Sequence, residues 1–239
     1  MEKSNAVRFI EAYNTIDHSL RVQHDFKRSI SFSDMIRKAV VVNHIVRKYE
    51  DDLIDFGRLR NAIVHKSNEK FLIAEPHDDV VEQMEKIARL ISTPPKAIET
   101  KCVKDVFSVA HDVKVQAVIE IMAQTSYSNI PVFHNGVMIG VANGQKIIDC
   151  FGAWLLEGKS AEDFLEKTTI EEIVTIPSQK KYYEIASVNV SIEEVMNMFF
   201  SNRKLLCVVL TKSGKMGETP VGIITASDYM DLNKVIENY

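Results

Sequence analysis

The chain has 239 residues, 46% of them hydrophobic and 26% charged, with a formal net charge of −4. That balance fits one large or two ordinary soluble domains and excludes a chain-wide basic field, although a local basic face for RNA stays open. Cys102, Cys150 and Cys207 match neither a disulfide framework nor a zinc spacing, and the polar start Met1–Asn5 leads into an amphipathic segment. With no apolar run long enough to cross a bilayer, a cytoplasmic protein without a membrane partner is expected.

Gly57 is the only glycine before Lys96, and the other eight fall between Gly136 and Gly222. Glycine marks turns and strand ends, so an all-α first part and a mixed second part are expected. Val7, Ile10, Tyr13 and Leu20 suit one face of a first helix. Ser33 is the expected N-cap of a second, with Asp34 favourable at the positive helix end. From Met35 through Ala39, Val42, Val46, Tyr49, Leu53 and Phe56 apolar residues recur at steps of four and three, continued by Leu59 and Ile63. That is the seam of a helix bundle. Pattern alone leaves open whether one helix runs through Glu50-Asp51-Asp52. A last helix is expected from near Pro76, with Asp78 and Asp79 in its first turn and Val80, Met84, Ile87 and Ile91 buried.

Within this half, Arg60, Asn61 and His65 stand together. Asn61 and His65 are one helical turn apart on the same face and Arg60 flanks them, while Leu59 and Ile63 point to the core. Gly57, one turn before Asn61, leaves room for another backbone or a ligand. Over about Ser4 to Ile91 this pattern resembles the HEPN family (higher eukaryotes and prokaryotes nucleotide-binding). The resemblance implies a metal-independent ribonuclease working as a homodimer. His65 would exchange the RNA 2′-OH proton, Arg60 would bind phosphate and offset developing charge, and Asn61 would orient the substrate. Two readings stand side by side: that ribonuclease, or a structural Arg-Asn-His cluster in a non-catalytic adaptor that binds a partner protein. Basic and acidic residues up to Lys96 nearly balance.

Ser92-Thr93-Pro94-Pro95 stops the last helix and supplies a linker. Beyond it lies an internal repeat. The eleven residues from Asp112 align without gaps on those from Asn189, placing Val113, Val115, Val118 and Ile121 on Val190, Ile192, Val195 and Met198. The same offset carries Ile130-Pro131-Val132 onto Cys207-Val208-Val209. Gly140-Val141-Ala142 then matches Gly222-Ile223-Ile224 after a longer hairpin. Short lead-ins, Val103–Val106 and Ile170–Ile173, precede the copies. Each copy reads as helix, strand, turn, strand, helix.

This repeat resembles tandem CBS (cystathionine β-synthase) domains, the Bateman module, from roughly Val103 onward. The family signature is a glycine, two apolar residues, Ser or Thr, two free positions and Asp. It is complete in the second copy, Gly222-Ile223-Ile224-Thr225-Ala226-Ser227-Asp228. The first copy has Asn143 for the hydroxyl residue and Lys146 for the Asp. The resemblance implies a regulatory adenosine nucleotide (AMP, ADP or ATP) and no catalytic cofactor. Gly222, Ile224, Thr225, Ser227 and Asp228 are the expected nucleotide-binding residues, with Asp228 on the ribose, Thr225 near the phosphate at a helix start and apolar strand residues around the adenine. Arg203 is added to them for phosphate charge. The plainer reading is that Thr225 caps the last helix, Asp228 is a first-turn carboxylate, and Arg203 and Lys204 are polar loop residues. His77, His111 and His134 fall in expected turns or loops without metal-ligand spacing, so no metal site is expected. The expected fold class is α+β multidomain: an all-α bundle over 1–93, then two βαββα modules over 94–167 and 168–239, associating as a homodimer.

Overall fold

The computed structural model describes residues 3–66, 75–100, 106–177 and 180–239, leaving out the side chains of His65 and Lys66. The chain divides into two compact units. The first is Met1–Pro95 with Ser191–Asn197 and Asn233–Tyr239, and the second is Lys96–Val190 with Met198–Leu232.

The first unit is helical. Helix α1 (Asn5–Gln23) is capped by the Ser4 hydroxyl and buries Ala6, Phe9, Ala12, Tyr13, Ile16 and Leu20. Val7 is 44% exposed, so the buried stripe is rotated from the expected face onto the larger apolar area of Phe9 and Ile16. Helix α2 (Phe32–Ala39) starts two residues earlier than expected, because Ser31, not Ser33, accepts from the Asp34 N–H. Helix α3 (His44–Lys48) is capped by Asn43, and α4 (Glu50–Lys66) follows. The chain breaks at Tyr49, where the backbone leaves helical geometry (φ −116°, ψ 27°). Glu50, Asp51 and Asp52 then occupy the first turn of α4, at its positive end. The expected seam therefore runs across three helices. Met35, Ala39, Val46, Leu53, Phe56 and Ile63 are buried, while Val42 lies in the intervening turn and is exposed. Helix α5 (Asp78–Ser92) buries Val81 in place of Val80, along with Met84, Ile87 and Ile91. Two returns of the chain complete the unit. Glu193 Oε1 accepts from the His44 N–H at 2.7 Å, and its burial raises the carboxyl pKa. Lys48 Nζ donates to Asn233 Oδ1 at 3.0 Å and to Glu237 Oε1 at 2.9 Å.

The remaining elements are β1 (Val109–Ala110), α6 (Val115–Thr125), β2 (Asn129–His134), β3 (Val137–Asn143), α7 (Gly144–Leu156), α8 (Ala161–Lys167), α9 (Ile170–Thr175), β4 (Tyr183–Ser187), α10 (Ile192–Ser201), β5 (Cys207–Thr211), β6 (Pro220–Thr225) and α11 (Tyr229–Glu237). A 3-10 turn, Ala226–Asp228, leads into α11. The two copies share one topology. The strand orders are β1-β2-β3 and β4-β5-β6, and in each sheet the first pair is parallel and the second antiparallel. Asn135 and Gly136, both at positive φ, turn β2 into β3, as a tight hairpin requires. Val115 and Val118, like their counterparts Ile192 and Val195, are fully buried. The equivalent positions of the repeat thus do equivalent packing work.

The first sheet is closed by later chain. Phe164 of α8 and Ile170 and Ile173 of α9 pack on Val109, Val132, Ala142 and Ile147. The Ile170–Ile173 lead-in, although it precedes the second copy, fills the core of the first. Gly140 permits this, since a Cβ there would lie 2.9 Å from Val174 Cβ. The two sheets meet through Met138 and Val141 on one side and Cys207, Val209 and Ile223 on the other. Burial raises the Cys207 thiol to about 12. Among the described residues no helix is long and apolar enough to cross a membrane.

The inter-sheet core yields a measurable expectation. Met138→Ala should lower unfolding free energy by about 2–5 kcal/mol in urea titration. Val137→Ala, at the exposed neighbouring position, should change it by less than about 0.5 kcal/mol. Equal, small effects at both positions would contradict the buried assignment of Met138.

Candidate functional site

In the second copy the signature occupies the corner where β6 turns into the 3-10 turn ahead of α11. Two backbone contacts hold it: Thr225 pairs with Cys207 in the β5–β6 ladder, and beyond the ladder the Ala226 N–H donates to Leu206 O at 3.0 Å. Asp228 Oδ2 accepts from the Thr225 N–H at 2.7 Å and from the Thr225 hydroxyl at 2.9 Å. One carboxylate oxygen therefore closes a cap on the corner. Ala226 and Ser227 are exposed, and Ile224 is buried in the sheet. Arg203 is exposed in the turn before β5. The structure thus joins Thr225 directly to Asp228, while Arg203 forms no hydrogen bond or ion pair with either among the described residues.

The first-copy corner is built differently. Asn143 is buried, and its Oδ1 accepts from the Gln145 N–H (2.9 Å) and the Lys146 N–H (3.2 Å), capping α7. Asn143 Nδ2 also donates to Asn129 Oδ1. Lys146, at the position of Asp228, donates to Val174 O at 2.9 Å and Ile176 O at 3.0 Å. Burial lowers its pKa. Its ammonium is committed to the end of α9, where it satisfies carbonyls that a helix C-terminus leaves open.

In the helical unit, Gly57 has a packing reason: a Cβ would lie 3.0 Å from Phe32 Cδ1. Phe32 packs against Tyr13 with ring centroids 4.3 Å apart and planes tilted by 34°, and the Arg60 guanidinium lies 5.2 Å from the Tyr13 ring centre. Arg60 Nη1 reaches Asn61 Oδ1 at 3.4 Å, and Arg60 Nε is buried without a hydrogen-bond partner among the described residues. Arg60 and Asn61 therefore come together on α4. The His65 side chain lies outside the described residues.

Two features were not legible as sites in the sequence. One is a cleft of about 990 Å³ whose walls include Asp149, Trp154, Lys159, Glu172, Lys180 and Tyr182. Asp149 accepts hydrogen bonds there from Lys180 Nζ (2.7 Å), the Tyr182 hydroxyl and Gln145 Nε2 (3.1 Å), which pull its carboxyl down to about 2. The other is a cluster of His111, His134 and Glu171. His134 closes strand β2 rather than lying in a loop, and His111 directly follows β1. A search for ligands close in sequence misses both, because parallel pairing of β1 with β2 is what brings them together.

The Asp149 group gives a pH expectation. Its folded pKa is depressed below the ordinary 3.8, so its contribution to stability is full above that value and is lost as pH falls toward about 2. Thermal melts between pH 5 and 2 should show wild type losing more of its Tm than Asp149→Asn. Parallel curves would remove the group from the stability balance.

Solved structures with low identity match this chain. The CBS domain of a bacterial CNNM/CorC family Mg2+ transporter in complex with ATP is 18% identical, covering 63% of this chain and 94% of its own, with a TM-score of 0.43. CBSX2 in complex with AMP is 13% identical, covering 60% and 98%, with a TM-score of 0.45. A CBS-domain containing protein from Agrobacterium tumefaciens is 14% identical, covering 54% and 85%, with a TM-score of 0.40. Residues 97–151 match the family model of the CBS domain, and the first copy, from the turn at Ala97 into α7, is accordingly a CBS domain.

Proposed function

We propose that this chain is a regulatory protein in which two CBS modules, 94–167 and 168–239, sense an adenosine nucleotide and control the helical bundle 1–93. The observation that carries this reading is the Thr225–Asp228 pair at the strand-to-helix corner of the second copy, inside a complete family signature. Asp228 is partly exposed and uses only Oδ2 in its cap among the described residues. Oδ1 is left to accept from a ribose hydroxyl, and exposed Ser227 and Arg203 supply a donor and a cation for phosphate. The first copy lacks both elements. Asn143 is spent on α7 and Lys146 on α9, so one nucleotide per chain is expected.

The signal has a covalent route to the bundle. Asp228 immediately precedes α11, and the last residues of α11, including Asn233 and Glu237, belong to the helical unit and bond Lys48. A change in cap geometry at Asp228 reaches those bonds along a single helix.

Isothermal titration with AMP, ADP, ATP and S-adenosylmethionine tests the site. One adenosine nucleotide should bind per chain, Asp228→Asn should weaken it at least ten-fold, and Lys146→Ala should leave it unchanged. A loss of ten-fold is about 1.4 kcal/mol, within the range of a hydrogen bond to a charged group. Absence of binding, or equal binding by Asp228→Asn, would remove the assignment.

For the bundle the geometry favours an adaptor, because the Arg60 guanidinium is packed on Tyr13 with Nε buried. The ribonuclease reading keeps one observation, the meeting of Arg60 and Asn61 on the helix that also carries His65. It also requires a homodimer, since a single His cannot be acid and base in the same step. An RNA cleavage assay in EDTA, with and without nucleotide, separates the two. The adaptor predicts no cleavage under any condition. Cleavage abolished in both Arg60→Ala and His65→Ala, leaving 2′,3′-cyclic ends, would instead establish the enzyme.

A further inference from the structure

We propose that His111, His134 and Glu171 form a binding site for a divalent transition-metal ion of the zinc type. The site follows from the way three elements converge. Strands β1 and β2 run parallel with Ala110 opposite Phe133, so the next residues, His111 and His134, stand side by side. Their imidazoles are stacked, with centroids 3.7 Å apart and planes 6° from parallel. Glu171, in the first turn of α9, is drawn to the same place by its backbone, whose N–H donates to His111 O at 3.0 Å. The His111 N–H in turn donates to Phe133 O at 2.9 Å. All three residues are thus fixed by main-chain bonds and not only by their side chains.

The donor atoms already face one another. Glu171 Oε2 lies 2.9 Å from His111 Nδ1, and Oε1 lies 3.0 Å from His134 Nδ1. All the candidate ligand atoms lie within 4.8 Å of one another. Zinc binds nitrogen and carboxylate oxygen at about 2.0–2.2 Å. Ligands at that radius and at angles near 90–110° are separated by about 2.9–3.5 Å. The nitrogen–oxygen separations found here fall in that range. Two imidazoles and one carboxylate are a set that suits zinc and its neighbours rather than magnesium or calcium, which take all-oxygen shells. The side chains keep 30–38% of their surface exposed, so an ion can enter and retain a solvent ligand.

Each ring directs Nδ1 at one oxygen of the same carboxylate. Coordination through Nδ1 requires that nitrogen to carry no proton and the stacked rings to turn out of parallel so that their lone pairs converge. The ion would pin α9, and with it the closure of the first sheet, to the ends of β1 and β2.

The test uses the full-length, tag-free chain, stripped with EDTA and titrated with Zn2+ against a chromophoric chelator in the absence of nucleotide. One ion per chain should bind. His134→Ala and Glu171→Gln should each weaken it at least ten-fold, while His77→Ala, at an exposed position elsewhere, should not. Circular dichroism checks that the variants are folded. If either variant unfolds, the wild type decides, since Zn2+ must then shift the His111 and His134 ring resonances in NMR and leave that of His77 in place. No stoichiometric uptake, uptake equal in the folded variants, or unmoved His111 and His134 resonances would overturn the site.

Discussion

Helix α9 packed on strand β3 is the constraint on which the CBS region depends. Ile170 and Ile173 are almost completely buried against the first sheet, and their approach is possible only because position 140 has no Cβ. Once α9 is seated, its surroundings are determined. Its terminal carbonyls need donors, and Lys146 supplies them. Its first turn brings Glu171 to the two histidines. The departure of the first copy from the family signature therefore has a structural content. Lys146, at the position that Asp228 holds in the second copy, is a donor to the carbonyls at the end of α9, so this corner serves internal closure.

The repeat was legible in the sequence because it is written in apolar positions that pack alike. Val115 and Ile192, or Val118 and Val195, are buried in both copies since each sheet needs the same helix face beneath it. The linear pattern was less informative where tertiary packing chose among near-equal alternatives. On α1 the expected stripe of Val7, Ile10, Tyr13 and Leu20 is rotated, because Phe9 and Ile16 outweigh Val7 by buried area. Ser33 is the expected cap of α2, and Ser31 takes that place because the buried face starts at Phe32. The bundle seam leaves open whether one helix runs through Glu50-Asp51-Asp52, because its period survives the break at Tyr49, where the next segment supplies its own acidic first turn. The Thr225–Asp228 corner was readable as a local motif. The His111–His134–Glu171 cluster was not, because its members are joined by strand pairing and by a helix that returns from a later part of the chain.

The cap at Asp228 sets the terms on which the proposed nucleotide would act at that corner. In the ligand-free arrangement Oδ2 satisfies the Thr225 N–H and hydroxyl, an arrangement worth roughly 0.5–2 kcal/mol to a helix start. A ribose that shares this carboxylate does not have to break the cap, because the second oxygen is available. It does, however, redistribute charge-assisted bonds at the first residues before α11. Switching between two arrangements requires only about 1–3 kcal/mol of differential affinity, which is comparable to the cap itself. The far end of the same helix is held by Lys48 through Asn233 and Glu237, bonds that are part-exposed and individually weak. A helix whose first residues are tied by a cap of similar strength to the ties at its last residues is poised between its two ends.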